Sequence, residues 1–152
     1  MSTNLLSVRN SPIQGKGVFA RRRIRKGIRV IEYKGTRRPD EVLLEPGDSY
    51  VDLFDLGNGF VIDPKKKGNM ARFINHSCSP NCESIMDGDR VFIQSIKPIE
   101  AGEELKYDYC LSLGHRPTAK DRRDYQCRCG SPRCRGTLYK APRKKAKKKA
   151  KK

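Results

Sequence analysis

One segment decides the fold: Arg72-Phe73-Ile74-Asn75-His76-Ser77-Cys78-Ser79-Pro80-Asn81-Cys82. Its apolar pair, Phe73 and Ile74, runs directly into small, polar and sulfur-bearing residues, which favour neither a helix nor a strand. Polar side chains buried beside an apolar pair cost free energy unless each of them finds a hydrogen-bonding partner. We therefore predict a partly buried loop that holds a ligand or a metal.

The composition indicates one domain with a modest core. A chain of 152 residues suffices for a single domain, and its 36% hydrophobic content is low beside 34% charged residues. About half of the net charge of +17 comes from residues 140–152, which contain nine Lys or Arg and no acid. This segment cannot bury a core, so we expect a disordered basic tail.

The sequence also bears on the cellular compartment. No apolar run approaches the roughly 20 residues that a membrane-spanning helix needs, so we expect no membrane partner. Residues 1–4 lack the basic start and apolar core of a secretory signal. We therefore expect an intracellular, reducing location, where six cysteines indicate metal ligands or free thiols rather than disulfides.

The apolar pattern predicts a mostly β fold of several small sheets with few short helices. Runs of β-forming residues recur about every ten residues and are separated by Gly and Pro. Hairpins are expected to turn at 55–59 and 87–89, and a short helix is expected at 39–45. The predicted strands are 5–8, 18–20, 28–33, 50–54, 60–62, 83–86, 90–96 and 105–109.

Two charge clusters allow more than one interpretation. Residues 40–63 contain seven carboxylates and no Lys or Arg, which would make an acidic surface for a cationic peptide or would only balance surface charge. Residues 21–26 contain five basic side chains, which would contact nucleic acid or form a solvated connection.

Three cysteines, Cys127, Cys129 and Cys134, lie within eight residues. Structural zinc requires four thiolates or imidazoles, so this segment lacks one ligand. We predict zinc here rather than three free thiols. The residues available as the fourth ligand are Cys78, Cys82, Cys110, His76 and His115.

Two further patterns are weak by themselves. Gly15-Lys16-Gly17 would bring backbone groups close to a ligand, or it is an ordinary turn. Tyr107 and Tyr109 would lie on one face of a strand, where their phenols would either point at one spot or fill a core.

Taken in order, these pieces resemble the SET-domain protein lysine methyltransferases that carry a zinc-binding post-SET segment. The resemblance runs from about residue 5 to residue 139 and implies a β-clip-like fold with a pseudoknot. It divides the chain into a SET domain (5–110), a linker (111–124), a post-SET zinc segment (125–139) and a Lys-rich tail (140–152). It rests on Gly15-Lys16-Gly17, Tyr33-Lys34-Gly35, the segment from Gly68 to Asn81, Glu104-Leu105-Lys106-Tyr107-Asp108-Tyr109 and the final cysteines.

The resemblance also implies two bound groups, S-adenosylmethionine and a structural Zn²⁺. Tyr33, Tyr107 and Tyr109 would line a channel for the substrate lysine, with Tyr109 beside the methyl group. The metal ligands would be Cys78, Cys127, Cys129 and Cys134. The residues implied to contact the cofactor are Gly15, Lys16, Gly17, Tyr50, Arg72, Asn75, His76 and Leu138.

The implied function is methyl transfer to a lysine of a basic protein, such as a histone or a histone-like tail. Tyr107 stands where relatives have Phe or Tyr, and its extra hydroxyl favours mainly monomethylation. The alternative is a non-catalytic protein of the same fold that binds DNA or chromatin.

The basic tail has several interpretations of its own. It could bind phosphate backbones without sequence preference, direct the protein to the nucleus, serve as a methylation substrate, or only add solubility. The tail favours nucleus or chromatin as the location, although a bacterial cytoplasmic enzyme or a delivered effector would show the same residues.

Overall fold

In the computed structural model, the described residues are 3–40, 51 and 53–140, and they form ten short strands in four small sheets. They also contain one α-helix, α1 (Ala119–Asp124), and 3-10 turns at Thr3–Leu5 and Met70–Phe73. The predicted mostly β architecture is therefore confirmed. The strands are β1 (Leu6–Asn10), β2 (Lys16–Ala20), β3 (Arg29–Tyr33), β4 (Thr36–Pro39), β5 (Phe54–Asp55), β6 (Phe60–Asp63), β7 (Asn75–His76), β8 (Cys82–Asp87), β9 (Arg90–Ser95) and β10 (Lys106–Tyr107).

Three of the sheets are antiparallel, and most of their paired strands are connected by short turns. β1 pairs with β2, β3 joins the β8–β9 hairpin, and β4 and β5 pair with the two edges of β6. The hairpins predicted at 55–59 and 87–89 are confirmed. The fourth sheet pairs β7 and β10 in parallel, which brings together segments about thirty residues apart.

The core lies where these sheets meet. Its innermost side chains are aliphatic residues from different sheets and the loops between them, each less than 2% exposed. β-Branched residues dominate because they pack well on pleated surfaces. These innermost residues include Val18, Ile74, Val91, Ile93, Ile99 and Leu105.

Asn81 fixes the crossing of the two distant segments. Its side-chain oxygen accepts from the Lys106 amide at 2.8 Å, and its Nδ2 donates to the Glu104 carbonyl at 2.8 Å. The Asn81 backbone N–H also donates to the Lys106 carbonyl. The predicted pseudoknot depends on these hydrogen bonds, because the buried Asn81 side chain bonds to the backbone of Glu104 and Lys106 as a neighbouring strand would.

The predicted strand at 105–109 is shorter than expected. β10 covers only Lys106 and Tyr107, because the Tyr109 amide donates to the His76 side chain instead of a neighbouring strand. Cys110 then adopts a positive φ of 46°, which turns the chain away. The Tyr107 and Tyr109 rings lie 4.9 Å apart, but strand alternation does not explain their proximity.

The region after β3 also differs from the prediction. Pro39 does not begin a helix but ends β4, whose pairing with β6 the apolar pattern did not reveal. Residues 41–45 of the predicted helix lie outside the described residues, as do residues 50 and 52 of the predicted strand at 50–54, of which Phe54 belongs to β5. The predicted linker, 111–124, contains α1. At the start of this helix Thr118 and Asp121 form a reciprocal capping box.

Among the described residues, no helix has the length and apolar character needed to cross a membrane.

We predict that Asn81→Ala destabilises the fold by about 2–4 kcal/mol, because it leaves a buried amide and a buried carbonyl of β10 and its approach without partners. Urea unfolding followed by circular dichroism measures the change. Asn58→Ala, which removes an acceptor in an exposed turn, is the control and should cost about 0.5 kcal/mol or less. Equal effects of the two substitutions would contradict the role assigned to Asn81.

Candidate active site and metal centre

Four thiols converge at the C-terminal end of the described chain. The Sγ atoms of Cys78, Cys127, Cys129 and Cys134 all lie within 4.8 Å of one another. Cys78 belongs to the segment quoted at the start and is 49 residues from Cys127, yet their sulfurs are 3.7 Å apart. The structure thus joins the loop that decides the fold to the C-terminal cysteines.

This cluster fits tetrahedral zinc. Four sulfurs at about 2.3 Å from a central ion would lie about 3.8 Å apart, close to the spacing of Cys78 and Cys127. The backbone amides of Arg135 and Gly136 lie 3.4 Å from the sulfurs of Cys78 and Cys134, and such donors stabilise thiolates. The four residues could therefore hold one Zn²⁺ ion.

The other candidate ligands have different surroundings. Cys82 lies in the hydrophobic core, where burial raises the pKa of its thiol to about 12. Cys110 is exposed, and His115 bonds to Asp121 at 2.8 Å near α1. His76 Nε2 lies 3.4 Å from the Cys78 sulfur, so this imidazole contacts the cluster from outside.

Arg135 provides a second tie between the C-terminal segment and the core. Its guanidinium donates to both oxygens of Asp108 at 2.6 and 2.8 Å, and it also reaches the Tyr139 carbonyl at 3.1 Å. Burial alone would raise the pKa of Asp108, but the hydrogen bonds from Arg135 and Cys110 lower it to about 2. Asp108 is therefore a carboxylate at neutral pH, and the pair anchors the segment beside Tyr107 and Tyr109.

A cavity of about 260 Å³ lies between the β1–β2 turn and the cysteine cluster. Six of the eight residues predicted to contact the cofactor line it, together with Tyr33 and Tyr109. Gln126 and Arg128 from the cysteine segment also line it and were not predicted. The six predicted residues are Gly15, Lys16, Arg72, Asn75, His76 and Leu138.

The other two predicted cofactor contacts differ. Gly17 does not line the cavity but lies behind it, where an added Cβ would come 2.2 Å from the Glu104 carboxylate. A side chain at this position would displace the Glu104 carboxylate. Tyr50 lies outside the described residues.

Glu104 organises the wall of the cavity and was missed as a functional residue. Its carboxylate accepts from Ser11 Oγ at 2.8 and 2.9 Å and from Asn75 Nδ2 at 2.8 Å. Asn75 Nδ2 also lies 3.0 Å from the Lys16 carbonyl, so this side chain fixes the turn between β1 and β2. Glu104 stands in one of the motifs that carry the resemblance, but its role was not predicted, since its partners are 29 and 93 residues away.

A second, larger cavity of about 790 Å³ adjoins the same tyrosines. Tyr33, Tyr109 and Val51 line both cavities, whereas Tyr107 lines only the second. Phe54, which the sequence did not single out, packs 5.0 Å from Tyr33. Aromatic side chains therefore lie where the two cavities meet.

Tyr109 is held at both its backbone and its hydroxyl. Its amide donates to His76 Nδ1 at 3.0 Å, and its hydroxyl donates to the Ile74 carbonyl at 2.5 Å. Burial lowers the pKa of His76 to about 4, against the opposing effect of Asp108, so the imidazole is neutral at pH 7. Because Nδ1 accepts, the neutral ring carries its proton on Nε2, facing Cys78.

The predicted acidic surface is only partly present among the described residues. Asp40 and Asp55 line the second cavity, as expected for a surface that meets a cationic peptide. Asp63, in contrast, is buried and lies 3.5 Å from Arg38, so it does not contribute to that surface. The remaining four carboxylates of the stretch lie outside the described residues.

Comparisons with known proteins show which family this chain is similar to. A family model described as the SET domain matches residues 15–110. The chain is 36% identical to a histone-lysine N-methyltransferase, H3 lysine-4 specific, of Candida albicans, over 91% of this chain and 15% of that protein. It is 40% identical to the protein of the same description from Schizosaccharomyces pombe, over 84% of this chain and 14% of the relative.

A human relative, histone-lysine N-methyltransferase 2D, is 35% identical over 87% of this chain but only 2% of its own length. The chain thus spans 15% or less of the length of these three relatives. The similarity covers most of this chain and a small part of each relative.

We predict that the purified protein contains about one zinc ion per chain and that Cys134→Ser lowers this content, since four thiolates are required for a closed site. Elemental analysis by mass spectrometry measures the ratio. Cys110→Ser removes an exposed thiol outside the cluster and should leave the ratio unchanged. The same zinc content in both variants would contradict the assignment.

Proposed function

The chain belongs to the SET-domain family, and on that premise we propose that it is a protein-lysine N-methyltransferase that uses S-adenosylmethionine. The observation that supports this most directly is the pair of cavities that meet at Tyr33 and Tyr109. One cavity would hold the methyl donor and the other would admit the substrate lysine from the opposite side. Such separation lets a protein substrate bind and leave while the donor site stays covered.

The smaller cavity supplies the donor site in this proposal. The turn at Gly15 and Lys16 would hold the amino-acid end of the donor, with Arg72, Asn75 and His76 on the adjacent wall and Leu138 as a cover. When bound, S-adenosylmethionine supplies an electrophilic methyl group on a positively charged sulfur.

The aromatic connection favours the neutral form of the substrate lysine. Lysine has a pKa of about 10.4 in water, so the amine must lose a proton before it can act as a nucleophile. Tyr33 and Tyr107 are each 6% exposed, and burial raises the pKa of Tyr107 well above its usual value, so its hydroxyl stays neutral. A dry, uncharged wall of this kind disfavours an ammonium ion.

His76 is an unsuitable general base for that proton. Its Nδ1 already accepts from the Tyr109 amide, and its Nε2 points at Cys78 rather than at the channel. The proton would therefore leave to solvent through the second cavity. No further catalytic base is required by this account.

Tyr109 would orient the amine. Because its hydroxyl proton is donated to Ile74, the oxygen retains a lone pair that can accept an N–H of the lysine. A fixed acceptor of this kind aligns the nitrogen lone pair with the methyl carbon, which lowers the barrier through positioning and electrostatics.

The metal would have a structural role. A zinc ion on the four thiolates would close the 125–139 segment over the donor cavity, to which Gln126, Cys127 and Arg128 contribute. In this view residues 5–110 form the SET domain, 111–124 link it to the zinc segment, and 140–152 form a basic tail.

The substrate in this proposal is a basic protein such as a histone or a histone-like tail. Asp40 and Asp55 at the second cavity would attract cationic residues beside the target lysine. The three relatives are histone-lysine N-methyltransferases. A nuclear or chromatin location follows from such a substrate, and the Lys-rich tail would add non-specific contacts to nucleic acid.

We predict that Tyr109→Phe lowers methyl transfer to core histones by about 100-fold, because it removes the group that orients the amine. Transfer of label from S-adenosylmethionine measures the rate, and calorimetry should show that the donor still binds. Tyr139→Phe, in a cluster with Leu113 and Tyr125, is the control. Unchanged transfer by Tyr109→Phe would refute the role of Tyr109, and a wild-type protein that does not bind the donor would favour a non-catalytic chromatin-binding protein.

We predict mainly monomethyl-lysine from the wild type and more di- and trimethyl-lysine from Tyr107→Phe. The Tyr107 hydroxyl sits in a buried channel, and removing it leaves room for added methyl groups. Mass spectrometry of the product peptides reports the distribution. An unchanged distribution would show that another residue limits the product.

A further inference from the structure

The described chain ends at the mouth of the second cavity. Lys140 lines this cavity together with Tyr107 and Tyr109. Its backbone amide donates to the Leu111 carbonyl at 3.0 Å, and Leu111 in turn forms a parallel bridge with Tyr139. Because Leu111 is two residues after Tyr109, the segment 141–152 starts beside the proposed entrance for the substrate lysine.

Charge makes this segment a suitable occupant of the mouth. Residues 141–152 contain eight Lys or Arg and no acid. Among the described residues that line the second cavity, the acidic side chains are Asp40 and Asp55. The wall otherwise includes apolar side chains such as Leu53 and Leu56, which would contact the aliphatic stems of lysines.

The length of chain beyond Lys140 sets the first lysine that can reach the channel. Tyr109 and Leu111 are at most about 7 Å apart along the chain, and paired strands lie about 5 Å apart, so the Lys140 backbone is within about 12 Å of Tyr109. Lys140 itself is fixed by its bond to Leu111. Four extended residues span about 14 Å, which makes Lys144 and Lys145 the first lysines beyond this anchor that can cover the distance.

We propose that residues 141–152 dock in this mouth and that Lys144 and Lys145 are intramolecular methyl acceptors. The inference rests on the proposed function and names a substrate for the same site. The neutral lysine nitrogen uses its lone pair to form a bond to the methyl carbon, and the sulfur–methyl bond breaks with its electron pair going to sulfur. The products are S-adenosylhomocysteine and a methylated ammonium, and the one proton released overall is the proton that the lysine lost to solvent before the attack.

Tethering decides the competition with other substrates. A short linker gives the tethered group an effective concentration of the order of millimolar. Free basic peptides at lower concentrations would therefore be displaced from the mouth by the tail. The tail thus becomes the preferred acceptor until its lysines carry methyl groups.

Methylation of the full chain tests the acceptor role. The protein is incubated with S-adenosylmethionine, and peptide mass spectrometry assigns the methylated lysines over a range of protein concentrations. The expected result is methylation at Lys144 and Lys145 with a rate constant independent of protein concentration. A rate that rises in proportion to protein concentration, or methyl groups spread evenly along the tail, would overturn the intramolecular step.

Matched substitutions sharpen this test. The double variant Lys144→Arg and Lys145→Arg keeps the charge and should lose about tenfold of the self-methylation, whereas Lys151→Arg with Lys152→Arg should retain it. Core histones are supplied in parallel. Methylated histones with an unmodified tail would overturn this inference alone, and failure of both reactions would overturn the proposed function as well.

Docking can also be tested without any methyl donor. Hydrogen exchange of the backbone amides at 53–57 and 111–114 should be faster in Lys144→Ala with Lys145→Ala than in the wild type, because an occupied mouth is shielded from solvent. Lys151→Ala with Lys152→Ala should exchange like the wild type. Equal exchange in all three proteins would overturn docking of the tail.

Discussion

The contact between the Ile74–Cys78 segment and Tyr109 is the constraint on which the site depends. Tyr109 gives its amide to His76 and its hydroxyl to the Ile74 carbonyl, so both ends of this residue are fixed by one short segment. The same segment supplies Asn75 to the smaller cavity and Cys78 to the thiol cluster. The cavity wall, Tyr109 and the thiol cluster are thus positioned together, and a shift of this segment would move all three.

The C-terminal segment completes the site through two independent ties. The thiol cluster attaches it to Cys78, and the paired hydrogen bonds between Arg135 and Asp108 attach it next to Tyr107. Both ties connect residues far apart in sequence, and the energy for closing such long loops comes from strong, directional bonds. This arrangement places Gln126, Cys127, Arg128 and Leu138 of the C-terminal segment in the wall of the smaller cavity.

The sequence was sufficient where chemistry is local or dense. The hairpins and the clustered cysteines are patterns that short stretches specify, and all of them are present in the fold. The segment after Ile74 was predicted to be a loop, but Asn75 and His76 form the strand β7 because they pair with β10. The sequence was insufficient where residues far apart in the chain determine the pairing of a strand or the role of a side chain. β4 pairs with β6 although Pro39 suggested a helix, and Glu104 gains its role from Ser11 and Gly17. Tyr109 does not continue the strand β10, because its backbone amide donates its hydrogen bond to the His76 side chain.

The central claim is that two openings meet at one pair of tyrosines. A crystal structure of the protein with S-adenosylhomocysteine and a lysine peptide tests it most directly. The account predicts the nucleoside product against Asn75 and His76, and the lysine side chain entering between Tyr33 and Tyr109 from the side of Asp55 and Leu56. Both ligands entering through the same opening, or the product bound away from the Gly15–Lys16 turn, would contradict it.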